Sequence, residues 1–245
     1  MNHTLCFNPP VIAHRGASGY APENTFLAFV KAVELGIKWV EFDVMPAACG
    51  EPIIFHDDEL VRTTGHQGSV VDYPYSYLQT LDAGSWFHSR FSGERIPTLQ
   101  DMLVYLHEVR MNANIEIKTQ PEHEEQLVLR ILEVMAPYWK SGQTYLFSSF
   151  SISALKLLRQ HAPTCLIGLL LDTWRDDWRQ VADELQCVSI NVNADIMTPD
   201  RVQAIKATNR AVLCYTVNSM ERAEALFHWG VDAVFSDMPD KIVRR

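Results

Sequence analysis

The chain has 245 residues, 47% of them hydrophobic, with 21 basic and 30 acidic side chains and a net charge of −9. A chain of that length buries a substantial core in one domain without disulfide or metal staples. The acidic balance and the lack of any basic run set aside a nucleic-acid surface, so an anionic ligand has to be met by locally concentrated positive charge. Cys6, Cys49, Cys165, Cys187 and Cys214 are scattered, show no CxxC spacing and read as reduced thiols. The start, MNHTLCFNPP, lacks the charged and apolar regions of a signal peptide, and together with the thiols it predicts a cytoplasmic protein. No apolar run reaches the roughly 18 residues of a membrane span, so no stable membrane association is expected.

In chain order, VIAH (11–14) is a short strand. Residues 23–35 predict a helix, with Phe26, Phe29, Val30 and Val33 on one face, Asn24 or Thr25 as its cap and Gly36 as its stop. WVEFDV (39–44) and PIIFH (52–56) are strands. Residues 57–97 carry turn residues and aromatics with little period, and 98–109 are helical. From there strands at 114–119, 144–149, 165–170, 187–192, 211–217 and 232–236 alternate with helices at 122–135, 152–161, 175–185, 198–208 and 219–230. Repeated strand–helix units imply a parallel sheet.

Parallel neighbours need a crossover of about a dozen residues, and only MPAACGE separates Val44 from Pro52. The 52–56 strand is therefore expected to fold back antiparallel as a hairpin arm. Removing it leaves eight parallel strands, a (β/α)8 TIM barrel spanning 1–245 as one α/β domain, with an open doubly wound sheet as the alternative. Neither GxGxxG nor GxxxxGK[ST] follows the first strand, which weakens a nucleotide-binding sheet. Residues 57–97 are expected to form an insertion, a flap on the C-terminal face of the barrel. Its small core is expected from Tyr73, Tyr75, Tyr77, Trp86, Phe87 and Phe91.

Chemistry in such barrels sits at the C-terminal ends of the strands. There the first strand offers His14 and Arg15, the second Glu41 and Asp43, the arm His56 and Asp57, and the next barrel strand Glu116 and Lys118. Strand side chains alternate, so Glu41 and Asp43 share a face, as do Glu116 and Lys118. Val40, Phe42 and Val44 then point to the helices and the carboxylates point inward. Three converging carboxylates repel one another unless neutralised. Arg15 and Lys118 can offset two, and a divalent cation accounts for all three. Oxygen-only ligands point to a hard ion, Mg2+ or Ca2+, rather than zinc. Each residue alone has an ordinary reading: a salt-bridged layer for Glu41 and Asp43, packing for His14, a turn for His56 and Asp57. Their coincidence at one end of the barrel is what favours a site.

HRG followed by PENT, then EFDV, HDDELVRTT, LDAGSWF, RIPTLQD, NIEIK, YTVN and GVDAVFSDMPD resemble, in this order, the glycerophosphodiester phosphodiesterases of the short cytosolic bacterial type. The resemblance runs from about residue 11 to 240 and implies a (β/α)8 barrel with an insertion after the second strand. It implies that Glu41, Asp43 and Glu116 hold the divalent ion, that His14 and His56 form the acid–base pair, and that Arg15 and Lys118 lie near the phosphate. It also implies hydrolysis of a small glycerophosphodiester to glycerol 3-phosphate and an alcohol. His14 is taken as base and His56 as acid, and the nucleophile is water or the substrate's own 2-hydroxyl. Two departures stand out: AACGE replaces a Lys-Asp-Gly turn found in many members, and Tyr215 replaces a tryptophan common before TVN. Alternative readings are a phospholipase-like phosphodiesterase acting on lyso-lipids and a non-catalytic phosphodiester-binding barrel. The lack of a long apolar helix counts against the first, and the two histidines against the second.

Overall fold

The computed structural model describes residues 5–243. Eight parallel strands close into a barrel: β1 (Val11–Ala13), β2 (Trp39–Pro46), β4 (Asn112–Ile117), β5 (Tyr145–Ser149), β6 (Leu166–Leu171), β7 (Ser189–Asn193), β8 (Ala211–Tyr215) and β9 (Ala233–Ser236). Closure falls on β1, which pairs with β9 over three residues and with β2 at Ala13↔Val40. β3 (Pro52–Ile54) folds back antiparallel on β2, as the short connection requires.

Around the strands run α1 (Phe26–Glu34), α4 (Leu99–Glu108), α5 (Glu124–Met135), α6 (Ile152–His161), α7 (Trp178–Glu184), α8 (Pro199–Lys206) and α9 (Met220–Trp229). Between β3 and α4 lie the one-turn helices α2 (Val61–Thr64) and α3 (Tyr75–Leu78). Four of the outer helices start on hydroxyl caps: Thr98, Ser151, Thr198 and Ser219 each accept from a backbone N–H three residues on. Among the described residues no helix is long and apolar enough to cross a membrane.

The period of two sorts each strand into two environments. Val40, Phe42 and Val44 of β2 pack outward in the main core, with Phe42 edge-on to Phe29 of α1 at 5.8 Å. The inward set begins with Trp39, which joins Ile12, Leu146, Leu213 and Phe235 in an apolar plug of the lumen. Phe7 covers that plug from below, its ring 4.8 Å from Trp39, whose indole N–H donates to the Cys6 carbonyl at 3.0 Å. Farther along the same inward face come Glu41 and Asp43, so the lumen turns from apolar to charged toward the C-terminal ends of the strands.

Two local expectations need correction. Helix α1 starts at Phe26 rather than Glu23, because residues 23–25 are drawn away from the helix. Asn24 adopts a left-handed φ of 57° and turns its amide toward Asp43. The Thr25 hydroxyl donates to the Pro22 carbonyl, 2.7 Å, and leaves the helix start without a side-chain cap. The insertion core is also mainly aliphatic, with Tyr73 and Tyr75 packed partly buried against it. Leu60, Val70, Leu78, Ala83 and Ile96 pack on Met45, Ala47, Ile53 and Phe55 of the β2–β3 arm. None of the six aromatics named above is buried there, and Trp86 is 39% exposed. For two of them a polar atom accounts for the place at the edge. The Trp86 N–H donates to the Ala83 carbonyl at 2.9 Å, and Tyr75 donates to that of Ile96 at 3.3 Å.

Candidate active site

The inward alternation of β2 and β4 converges three acids. Asp43 and Glu116 are register partners, and Glu41 lies two residues back on the same face. One oxygen of each of Glu41, Asp43 and Glu116 lies within 4.8 Å of the other two. Glu41 and Asp43 are almost fully buried, at 3% and 2% exposure. Burial, reinforced by Asp43 and Glu116, pushes the Glu41 carboxyl far above the usual carboxylate range. Burial and Asp43 likewise raise Glu116 to about 8, against the pull of Lys118 and Arg15. Glu41 Oε1 is buried without a hydrogen-bond partner among the described residues. An orphaned carboxyl oxygen in a cluster of acids that oppose one another's ionisation fits a divalent cation held by oxygen ligands alone.

Three side chains partly offset this charge. The turn after β1 gives Arg15 a left-handed φ of 54°, which aims its backbone N–H at Glu41 Oε2, 2.8 Å. Its side-chain Nε lies 3.5 Å from Asp43 Oδ2 and its Nη1 donates to Glu23 Oε1 at 2.7 Å. Burial alone would lower the Arg15 pKa, but Asp43, Glu23 and Glu41 together raise it, so the guanidinium stays charged. Lys118 places Nζ 3.7 Å from Glu116 and 3.9 Å from Asp43. Asn24 donates to Asp43 Oδ2 at 2.9 Å. Gly16 makes the turn possible, with φ 79° and a position where a Cβ would sit 2.7 Å from the Ala28 backbone.

Each histidine is held by a carboxylate. His14 Nδ1 donates to Asp237 Oδ1 at 2.7 Å, while its Nε2 lies 3.9 Å from Glu41. Asp237 also accepts from Ser18 Oγ at 2.9 Å and Asn218 Nδ2 at 2.6 Å. Burial raises the Asp237 carboxyl, but His14 and these donors outweigh it and bring it to about 2. His56 Nδ1 donates to Asp57 Oδ1 at 2.5 Å. Asp57 is brought to about 2 by Arg62 and His56, again against the effect of burial. An ionised carboxylate only accepts, so both rings carry a proton on Nδ1 and present Nε2 as the free nitrogen. Burial lowers the His56 pKa, with Arg15 and Lys118 adding to it and Asp43 and Asp57 opposing.

These groups surround a cavity of about 150 Å³ at the barrel mouth. Both histidines, Arg15, Lys118, Glu41 and Glu116 line it, with Asp43 beneath, and Phe150, Leu170, Tyr215 and Phe235 form an apolar wall opposite. The structure thus brings all seven residues singled out in the sequence to one place. Sequence reasoning missed Asp237, Glu23, Asn24 and Arg62, and placed Asp57 at the mouth without a role beside His56. Asp237 follows β9, so the same strand-end rule that found His14 also points to it.

Two imidazoles with a free nitrogen each, beside the cationic Arg15 and Lys118 and an acidic cluster able to hold a divalent cation, are what an acid–base enzyme acting on an anionic ester requires. Comparison with known proteins defines the ester. Residues 14–241 match the glycerophosphoryl diester phosphodiesterase family, and the chain belongs to that family. It is an enzyme, a phosphodiesterase of the glycerophosphodiester class. The glycerophosphodiester phosphodiesterase of Caldanaerobacter subterraneus subsp. tengcongensis is 33% identical over 242 residues, 95% of this chain and 96% of its own. That of Bacillus subtilis is 31% identical over 251 residues, 94% of this chain and 83% of its own. Among solved structures, an Oleispira antarctica phosphodiesterase in complex with the product sn-glycerol-3-phosphate superposes with a TM-score of 0.93 at 38% identity. That match covers 96% of this chain and 95% of the other.

Proposed function

We propose that the protein hydrolyses glycerophosphodiesters to glycerol 3-phosphate and a free alcohol, with His14 and His56 as its acid–base pair and a divalent cation, Mg2+ or Ca2+, held by Glu41, Asp43 and Glu116. The observation that carries the reading is the pair of carboxylate-held imidazoles at a cavity floored by these acids, one of whose buried oxygens has no partner. When bound, the cation supplies Lewis-acid polarisation of the phosphoryl oxygens. The Oleispira antarctica relative, which holds glycerol 3-phosphate, supports the same product here.

Arg15 and Lys118 attract the non-bridging oxygens and draw off charge as the phosphorus becomes five-coordinate. The base has to enter the reaction neutral and the acid protonated. The environment that lowers the His56 pKa favours His56 as the base and His14 as the acid, the reverse of the order taken from the sequence. Asp237, 2.7 Å from Nδ1, holds the His14 ring with Nε2 toward the cavity. Each proton transfer contributes about 10²–10⁴-fold. The nucleophile is water or the glycerol 2-hydroxyl.

The test is a coupled assay for glycerol 3-phosphate released from glycerophosphocholine and glycerophosphoethanolamine. Product is expected from at least one, abolished by a chelator and restored by Mg2+ or Ca2+. Binding without product from any head group would leave only a phosphodiester-binding barrel. Normal turnover of a 2-deoxy glycerol analogue would exclude internal attack.

A further inference from the structure

Arg62 sits on α2, in the insertion, and does not line the cavity. Its guanidinium nevertheless grips two carboxylates at once. Nε and Nη2 donate to Asp57 Oδ2 and Oδ1 at 2.5 and 3.0 Å, and Nη1 and Nη2 donate to Glu23 Oε2 and Oε1 at 2.7 and 2.7 Å. Both carboxylates face onward into the site. Asp57 accepts from His56 Nδ1, and Glu23 accepts from Arg15 Nη1. A continuous path therefore runs His56–Asp57–Arg62–Glu23–Arg15, with negative and positive groups alternating along it.

Side-chain exposure of Arg62 is 41%, and ion pairs that open to solvent contribute little to folding stability. Two bidentate forks on one rigid planar group, by contrast, fix geometry well. Without them Glu23 keeps only Arg15 as a partner and is free to pull it off the cavity wall. Asp57 is then free to rotate, and the His56 ring loses its fixed acceptor. Trp86, also in the insertion, holds Arg62 from the other side, its ring centroid 5.8 Å from the guanidinium carbon.

We propose that Arg62 is a positioning residue: one guanidinium sets both the ring of His56 and the side chain of Arg15, so the insertion must be docked on the barrel for the two to be in register. The proposal rests on the roles given to His56 and Arg15 above. An arginine is required here, not merely a cation, because a lysine ammonium cannot serve two forks.

The experiment uses the full chain with Arg62→Ala, Arg62→Gln and Arg62→Lys. For hydrolysis of glycerophosphocholine, kcat is expected to fall on the order of 10²-fold in the alanine variant, the scale of a displaced reacting group, and KM to rise as Arg15 is released. Arg62→Lys is expected to recover only a minor part of either. Millimolar guanidinium ion should raise the activity of Arg62→Ala at least about tenfold, and should leave His56→Ala unchanged. A second readout needs no turnover: the downfield proton resonance of His56 Nδ1–H is expected in the unaltered protein and lost in all three variants. Near-native kcat in Arg62→Lys, absence of guanidinium rescue in a folded Arg62→Ala, or an unchanged His56 resonance would each overturn the proposal. Should the unaltered protein release no glycerol 3-phosphate, the functional reading fails, while the resonance still decides whether Arg62 sets the ring.

Discussion

Replacing Asp237 by asparagine removes a charge while keeping the shape, and the surrounding hydrogen bonds set its cost. Oδ1 of Asp237 accepts from His14 Nδ1 and Ser18 Oγ, and Oδ2 accepts from Asn218 Nδ2. Asn218 cannot turn its amide over, because its Oδ1 already accepts from the Asp237 backbone N–H at 2.8 Å and from Ser236 Oγ at 3.0 Å. An asparagine at 237 therefore has two poor choices. With its oxygen toward His14, its NH2 group meets the NH2 of Asn218, donor against donor. With its NH2 toward His14, it meets Nδ1–H and drives the ring to the tautomer protonated on Nε2, or away from the site. Either mismatch costs about 1–3 kcal/mol, a factor of about 5–150 in the population of a correctly held His14, and the lost carboxylate charge adds to it. Asp237→Asn should accordingly lower kcat by on the order of 10²-fold in the glycerol 3-phosphate assay, with KM little changed because Asp237 does not line the cavity. A kcat within about threefold of the unaltered enzyme, or a loss confined to KM, would refute the reasoning.

His14→Ala and His56→Ala should each lose about 10²-fold or more in kcat, read in the same assay, since each removes one of the two proposed proton transfers. A saturating divalent cation should stabilise the fold by about 2.7 kcal/mol at a hundredfold excess over its Kd, roughly 5–10 °C in Tm, and Glu116→Gln should abolish the shift; an unmoved melting curve removes the cation from the site. In chelator, stability should fall as pH rises from 7 to 8. The Glu116 pKa is raised from 4.5 to about 8, so the native state holds a proton that the unfolded state has released, and that contribution fades through about pH 8. The His56 pKa is displaced the other way, and its contribution is complete above about pH 6.5, below this window. A flat Tm between pH 7 and 8 would contradict the direction given for Glu116. Gly16→Ala should cost roughly 1–3 kcal/mol in urea unfolding, because φ 79° and the 2.7 Å approach to Ala28 both oppose a methyl group; an unchanged midpoint would show that the turn relaxes.

Signals that survive in a short window were the legible ones. The alternation in WVEFDV separates Val40, Phe42 and Val44 from Glu41 and Asp43 without knowledge of any other residue, and the structure keeps that division. The short MPAACGE connection forced the 52–56 arm antiparallel for a reason of chain length alone. Contacts between distant segments left no such trace. Asp237 lies 223 positions from the His14 it holds, and nothing in VFSDMPD marks it as an imidazole partner. Glu23 and Asn24 looked like the start of a helix because helix-forming and capping preferences are local properties, whereas their partners Arg62 and Asp43 are 39 and 19 residues away. In the insertion, the abundance of aromatic rings suggested a core that aliphatic side chains fill instead, with Tyr75 and Trp86 held at its edge by their polar atoms.

The seam on which the barrel closes has a consequence for biosynthesis. β1 is made first, yet three of its four inter-strand residue pairs are with β9, which is made last. A growing chain on the ribosome can stack its middle strands as they emerge, but the strand leading to His14 must wait for residues 234–236 before it is clasped on both sides. A nascent chain that has passed residue 116 but not reached 234 thus carries the five carboxylate and imidazole groups of the mouth without the last wall beside His14. Closure of the mouth therefore waits on the strand pairing most distant in sequence, the kind of contact that costs most loop entropy to form.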